Sequence, residues 1–152
     1  MHMNQYDKDI FIISSNKKQL DIEVIYNFLC FHSYWAKGIP KTLVQKSIDN
    51  STLCFGVYKE SICGQIRKQV GFARVISDLS TFAYIADVFI LPDYRGLGLS
   101  KRLIKKLIEH PELTEIRRAM LATKDAHSLY EKFGFKDINN TNLFMELKKQ
   151  SY

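Results

Sequence analysis

No apolar run in these 152 residues approaches the roughly 20 that would cross a bilayer, which excludes a membrane span. A secretory signal is missing too. The opening Met1-His-Met-Asn-Gln-Tyr-Asp7 is polar, without the basic-then-apolar layout of a leader, so the expected location is cytoplasmic. Cysteine is scarce: Cys30, Cys54 and Cys63 are an odd set without CxxC spacing, two of them in apolar runs, and buried reduced thiols are expected rather than a disulfide framework. His2, His32 and His110 have no metal-like partners, so no metal is expected. Neither an internal repeat nor a low-complexity segment is present. Acidic residues are outnumbered 16 to 22 by Lys and Arg, and the net charge of +6 with pI near 9.2 favours an anionic partner. The aromatic-basic interleaving of a nucleic-acid surface is lacking, which speaks against nucleic acid as that partner.

With 46% hydrophobic and 25% charged residues, the chain is expected to form one soluble domain over residues 1–152, long enough to bury roughly two thirds of its unfolded surface. Ile10 to Ser14 reads as a first strand. Leu20, Val24, Ile25, Phe28 and Leu29 then follow the stripe of an amphipathic helix closing near His32. A second helix is expected from Pro40 to Ile48, a strand from Thr52 to Tyr58, an extension of that hairpin through Ile62 to Lys68, a partner strand from Val70 to Ile76, and a third from Thr81 to Leu91. Leu99, Leu103, Ile104, Leu107 and Ile108 make another helical stripe, ended by His110-Pro111. Ile116 to Thr123 is the next strand, Ala126 to Phe133 a short helix stopped at Gly134, and Phe135–Ile138 with Leu143–Leu147 a last strand pair across Asn139-Asn-Thr-Asn142. Asp125 is expected to cap the helix that starts at Ala126. The fold class is thus α/β or α+β, a mixed, mostly antiparallel sheet with helices on both faces, because a helix joining two strands makes them parallel while the meander runs antiparallel.

Tyr84 to Phe135 carries the densest signals. An apolar strand hands over to Pro92-Asp-Tyr-Arg-Gly-Leu-Gly-Leu-Ser100 and then to a helix. The loop is neither a Rossmann fingerprint, since Lys101 stands where a third glycine belongs, nor a Walker loop, since it lacks the Gly-Lys-Ser/Thr end. Gly96 and Gly98 nevertheless remove side chains where helix-terminal N–H groups, with their charge of about +0.5, could receive phosphates. A plain tight turn is the competing reading. Arg95 and Lys101 flank the loop. Arg102, Lys105 and Lys106 follow along the helix, where a solvated face serves equally well.

That loop, followed by Leu129-Tyr-Glu-Lys-Phe-Gly-Phe135, resembles the GNAT superfamily of N-acetyltransferases, whose acetyl-CoA motif is Gln/Arg-x-x-Gly-x-Gly/Ala; the likeness in element order runs from Ile10 to Leu147. The resemblance implies acetyl-CoA as co-substrate, in a V-shaped opening between the strand ending at Leu91 and the one ending near Thr123. Its pyrophosphate would lie on the amides of Arg95, Gly96, Leu97, Gly98, Leu99 and Ser100, beside Lys101, and its pantetheine against the backbone of Val88, Phe89 and Ile90. Ser100 replaces the motif's final Gly/Ala, and Thr123 stands where many members have Asn.

Tyr130 matches the family's general acid, and a phenol with pKa near 10 held near the sulfur could protonate a departing thiolate. An amine acceptor arrives protonated and needs a base. Asp87, the lone carboxylate of an apolar strand, is the candidate, since burial would raise its pKa; a hydrogen-bonded structural carboxylate is the equal alternative. His127 lies three residues before Tyr130 and reads as a surface or capping residue, less readily as a proton carrier. Tyr34, Trp35, Arg74, Asp78 and Tyr84 could line the acceptor side, with Ser33 to Pro40 as an aromatic lid or as a plug of the helix junction. The expected activity is acetyl transfer to a primary amine of a small molecule or peptide by direct attack. A non-catalytic acyl-CoA-binding regulatory module is the rival. A homodimer is compatible with the sequence, though nothing in it specifies one.

Overall fold

A computed structural model describes residues 10–61 and 67–152. The polar amino-terminal stretch with His2, the hairpin extension across 62–66, and Cys63 lie outside the described residues. The elements are β1 (Ile10–Ser14), α1 (Ile22–His32), α2 (Lys41–Asn50), β2 (Leu53–Glu60), β3 (Arg67–Ser77), β4 (Phe82–Ile90), α3 (Leu99–Ile108), β5 (Arg118–Leu121) and α4 (His127–Glu131). The strands form one sheet in the order β1-β2-β3-β4-β5, antiparallel throughout except for the parallel pair β4–β5. α3 fills the crossover between those two, as the parallel geometry requires.

The helices divide between the two faces because strand side chains alternate. Cys54 and Phe72 face α1 and α2, in a core with Ile25, Phe28, Leu29, Val44, Ile48 and Phe89. Phe55, Val57 and Val75 point to the other side, where Leu99, Leu103 and Leu107 of α3 cover them. Asp21 starts α1 by accepting from the amides of Glu23 (3.0 Å) and Val24 (3.4 Å), and its own N–H reaches the buried Gln69 side chain of β3 (2.7 Å). That contact ties the helix to the sheet. Cys30 and Cys54 are buried free thiols. Among the described residues no helix is long and apolar enough to cross a membrane.

Two irregularities shape the sheet. Val57 pairs with Gly71 and Tyr58 with Gln69, so Val70 is an extra residue in β3. Further along, Phe72 faces Phe89 and Arg74 faces Ala86, so Asp87 and Val88 of β4 together oppose Ala73. Asp87 sits in this bulge with φ of +54°, a left-handed conformation uncommon outside glycine. The parallel ladder to β5 ends at Ile85 and Leu121, two residues before Asp87. Beyond that point β4 and β5 part.

The end of the chain departs from the sequence expectation. Neither Phe135–Ile138 nor Leu143–Leu147 is a strand. Thr141–Leu143 forms a 3-10 turn, with Leu143 N–H on Asn140 C=O and Phe144 N–H on Thr141 C=O, which uses the amides a hairpin would need. Met145 and Leu147 are 98% and 83% exposed, so the alternating apolar residues that read as a strand find no face to cover.

Candidate active site

Where β4 and β5 part, a cleft of about 720 Å³ opens, lined among others by Asp87 and Val88 of β4, Leu121 to Thr123 at the end of β5, and Tyr130 of α4. The bulge at Asp87 organises one wall. Its Oδ1 accepts from Trp35 Nε1 at 2.8 Å and its Oδ2 from Arg74 Nε at 2.6 Å, in an ion pair whose side chains are only 9% and 17% exposed. Arg74 also donates through Nη1 to Ser51 Oγ at 3.3 Å. The carboxylate that the sequence offers as a general base therefore has both oxygens engaged. It holds an indole and a guanidinium in fixed places.

The segment between α1 and α2 spans the opening. Tyr34 and Trp35 meet edge to face, with ring centroids 5.0 Å apart. Trp35 is latched to β4 through Asp87, while the Tyr34 hydroxyl accepts the Lys124 amide at 2.8 Å, in the loop between β5 and α4. Both aromatics line the cleft, and Trp35 also leans on Phe28 of α1, centroids 6.2 Å apart. The two readings of this segment, lid and plug, describe different sides of the same rings.

Tyr130 is buried within α4, edge to face with Phe135 at 5.7 Å. Burial, with smaller contributions from Tyr34 and the Asp125 carboxylate, pushes its hydroxyl up to about 12. The phenol thus stays protonated throughout the physiological range. Asp125 does not cap α4: no side chain caps it at Ala126, whose amide is taken by Thr123 Oγ1 at 3.1 Å. Thr123, expected at the cofactor, thereby fixes the turn that presents Tyr130. His127 stands outside the cleft, its Nε2 3.9 Å from Asp137 Oδ1 on an exposed face.

The glycine loop lies apart from these side chains, since residues 95–101 do not line the cleft. Gly96 and Gly98 have φ of +80° and +76°, and a Cβ at either would meet nothing within 4 Å. Their use is conformational and leaves an open backbone surface. Gly98 is the N-cap of α3 without a side-chain cap, and the Arg102 amide makes the bond to Gly98 C=O. Among the described residues the amides of Leu99, Ser100 and Lys101 are then the unpaired first-turn donors, which fits a pyrophosphate. Arg95 differs from expectation: its amide is taken by Pro92 C=O at 3.2 Å and its Nε by Ile90 C=O at 3.1 Å.

Of the predicted acceptor-side residues, Tyr34, Trp35, Arg74 and Tyr84 meet in the cleft. Asp78 does not. It sits in the β3–β4 turn, where its carboxylate accepts from the amides of Ser80, Thr81 and Phe82 and from the Thr81 hydroxyl, bonds that hold it well below the usual carboxylate range. Phe89 and Ile90, expected to meet pantetheine through their backbone, bury their side chains, Phe89 stacked on Phe28 at 4.0 Å in the helical core and Ile90 on the α3 side. Sequence reasoning missed Leu43, Lys46, Ser47 and Asn50, which line the cleft from α2. Their spacing of three, four and seven residues was the available signal, because it puts them on one helix face.

Residues 50–137 match the family model described as Acetyltransferase (GNAT) domain. An uncharacterized N-acetyltransferase, ycf52, of Pyropia yezoensis is 36% identical over 84% of this chain and 71% of its own length. The crystal structure of a GNAT-family protein from Xanthomonas campestris pv. campestris superposes with a TM-score of 0.84 at 45% identity, covering 92% of this chain and 94% of that one. A predicted acetyltransferase from Clostridium acetobutylicum, solved with acetyl-CoA, shares the fold at a TM-score of 0.63 and 17% identity, over 92% and 96% of the two chains. The parted strands, the uncapped glycine turn and the buried tyrosine thus stand in a chain that belongs to the GNAT family and is an acetyltransferase.

Proposed function

We propose that the protein transfers the acetyl group of acetyl-CoA to a primary amine by direct attack, with Tyr130 serving the leaving sulfur. The observation that carries this reading is a buried tyrosine hydroxyl, pushed up to about 12, in the cleft where β4 and β5 separate. The deprotonated amine forms a C–N bond to the thioester carbonyl carbon, the C–S bond breaks, and amide and CoA result. A phenol that burial pushes up to about 12 keeps its proton and remains a hydrogen-bond donor throughout the physiological range. The Tyr130 hydroxyl therefore acts by donating a hydrogen bond to sulfur as charge develops there. The amine nitrogen loses a further proton on becoming the amide and the CoA sulfur gains one, which balances the reaction.

Asp87 has a positioning role in this scheme. Its oxygens keep Trp35 and Arg74 at the cleft wall, and the ammonium proton leaves through cleft water. Leu99, Ser100 and Lys101 supply amides for the pyrophosphate, while the edge of β4 released from β5 at Val88 is available to pantetheine.

Free CoA release across a panel of amines and peptide amino termini tests the reading. Turnover is expected with at least one acceptor and should fall about 10²-fold or more in Tyr130→Phe, with acetyl-CoA affinity retained. Unchanged turnover in Tyr130→Phe would remove that residue, and tight acetyl-CoA binding with no turnover on any acceptor would favour a non-catalytic sensor.

A further inference from the structure

The cleft carries charge of both signs: Lys46 of α2 and Arg74 of β3 line it, and so does Asp125 in the loop that leads to Tyr130. Asp87 offsets the Arg74 charge through their 2.6 Å ion pair, so the net positive charge of this wall is that of Lys46, while Arg74 contributes its remaining N–H donors. Arg74 spends one N–H on Asp87 and one on Ser51, which leaves three of its five donors. Among the described residues no carboxylate pairs with Lys46. Ser47 and Asn50 stand beside it on the same helix face, but the Ser47 hydroxyl donates to Val44 C=O at 2.7 Å and the Asn50 amide to Lys46 C=O at 2.8 Å, which leaves Lys46 as the donor of that face.

From this arrangement we infer that the acceptor is an amine carrying an anionic group, a carboxylate or a phosphate, held by Arg74 and Lys46 at the α2 wall. The inference rests on the acetyltransfer reading above. A zwitterion of this kind is oriented by the cleft itself: its anion goes to the guanidinium and ammonium, its amine toward Asp125 and Tyr130. Polyamines are disfavoured, because a further ammonium at the α2 wall would meet Lys46, with which no carboxylate pairs among the described residues. The Tyr34 and Trp35 rings close the end of the cleft and would cover the acceptor's carbon skeleton.

Steady-state CoA release should be measured with an amino acid, an amino-sugar phosphate, the uncharged counterpart of each, and spermidine. Higher kcat/KM for one anionic amine over its uncharged counterpart, about tenfold or more, is expected, and which one leads tells carboxylate from phosphate. Arg74→Gln should raise the KM for that amine about 10- to 100-fold. Arg74 also holds Asp87, so the exposed Lys46→Glu is the cleaner variant. It should raise the same KM about five- to tenfold and leave the KM for acetyl-CoA unmoved. Equal kcat/KM for charged and uncharged partners, or a preference for spermidine, overturns the inference. If no amine releases CoA, the acetyltransfer reading fails by itself, and calorimetric titration with the amino acid and the amino-sugar phosphate still decides: binding weakened by Lys46→Glu supports the inference, and absence of binding overturns it.

Discussion

Two regions of β4 offer their chemistry in opposite ways. Past its carboxyl end, the loop over residues 95–101 presents backbone amides of contiguous residues, shaped by two glycines in the left-handed region. In its middle, the wall at Asp87 gathers side chains from the α1–α2 segment, α2, β3 and β4. The first arrangement depends on local φ and ψ, and the second on the bulge that brings distant segments together. Mutations should therefore fail differently: backbone changes at the loop ought to move acetyl-CoA alone, and side-chain changes at the wall ought to move the acceptor.

Gly98→Val gives the larger separation. A β-branched residue at φ of +76° costs about 1–2 kcal/mol and covers the amide surface. The KM for acetyl-CoA should rise about tenfold or more, with the acceptor KM unchanged in steady-state assays. A rise in both would show that loop and wall are one unit.

Asp87→Asn has a smaller and more diagnostic effect. Asparagine tolerates the left-handed region, so the bulge should persist, and its amide oxygen can still accept from Trp35 while the ion pair to Arg74 is lost. The expected result is a several-fold rise in acceptor KM with the acidic limb of the pH–rate profile retained. Loss of that limb would restore Asp87 as the base.

The smallest effect separates two tyrosines. Burial pushes both Tyr58 and Tyr130 up to about 12, against about 10 in the unfolded chain. Each folded pKa is raised, so the stability each contributes is present below pH 10 and is lost as pH climbs from 10 toward 12. Denaturant titrations at pH 9 and 11 should show a smaller alkaline loss in either Tyr→Phe variant. Among the described residues the Tyr58 hydroxyl, buried and packed over Gly56 in β2, has no hydrogen-bond partner, so Tyr58→Phe should leave turnover intact where Tyr130→Phe does not.

The sequence predicted best where one local cause sufficed. The stripe of α3 and the stop at Gly134 reappear in the structure because a period of 3.6 and a positive φ are properties of a few adjacent residues. It predicted less well where neighbours compete for one group. Asp78 was taken up by its own turn, the Ala126 amide went to Thr123 rather than Asp125, and the 3-10 turn at Thr141–Leu143 displaced an expected hairpin. Lys46 and Asn50 gave only the signal of an ordinary solvated helix face.

By itself, then, the sequence determined the order of elements as far as α4, the glycine turn ahead of α3 and the tyrosine on α4, all encoded in short windows through apolar period and backbone freedom. Only the tertiary structure decided what Asp87 does. Its partners come from residues 13 and 52 positions away, and the bulge that turns it toward them lies in the pairing of β4 with β3, just past the point where β4 leaves β5.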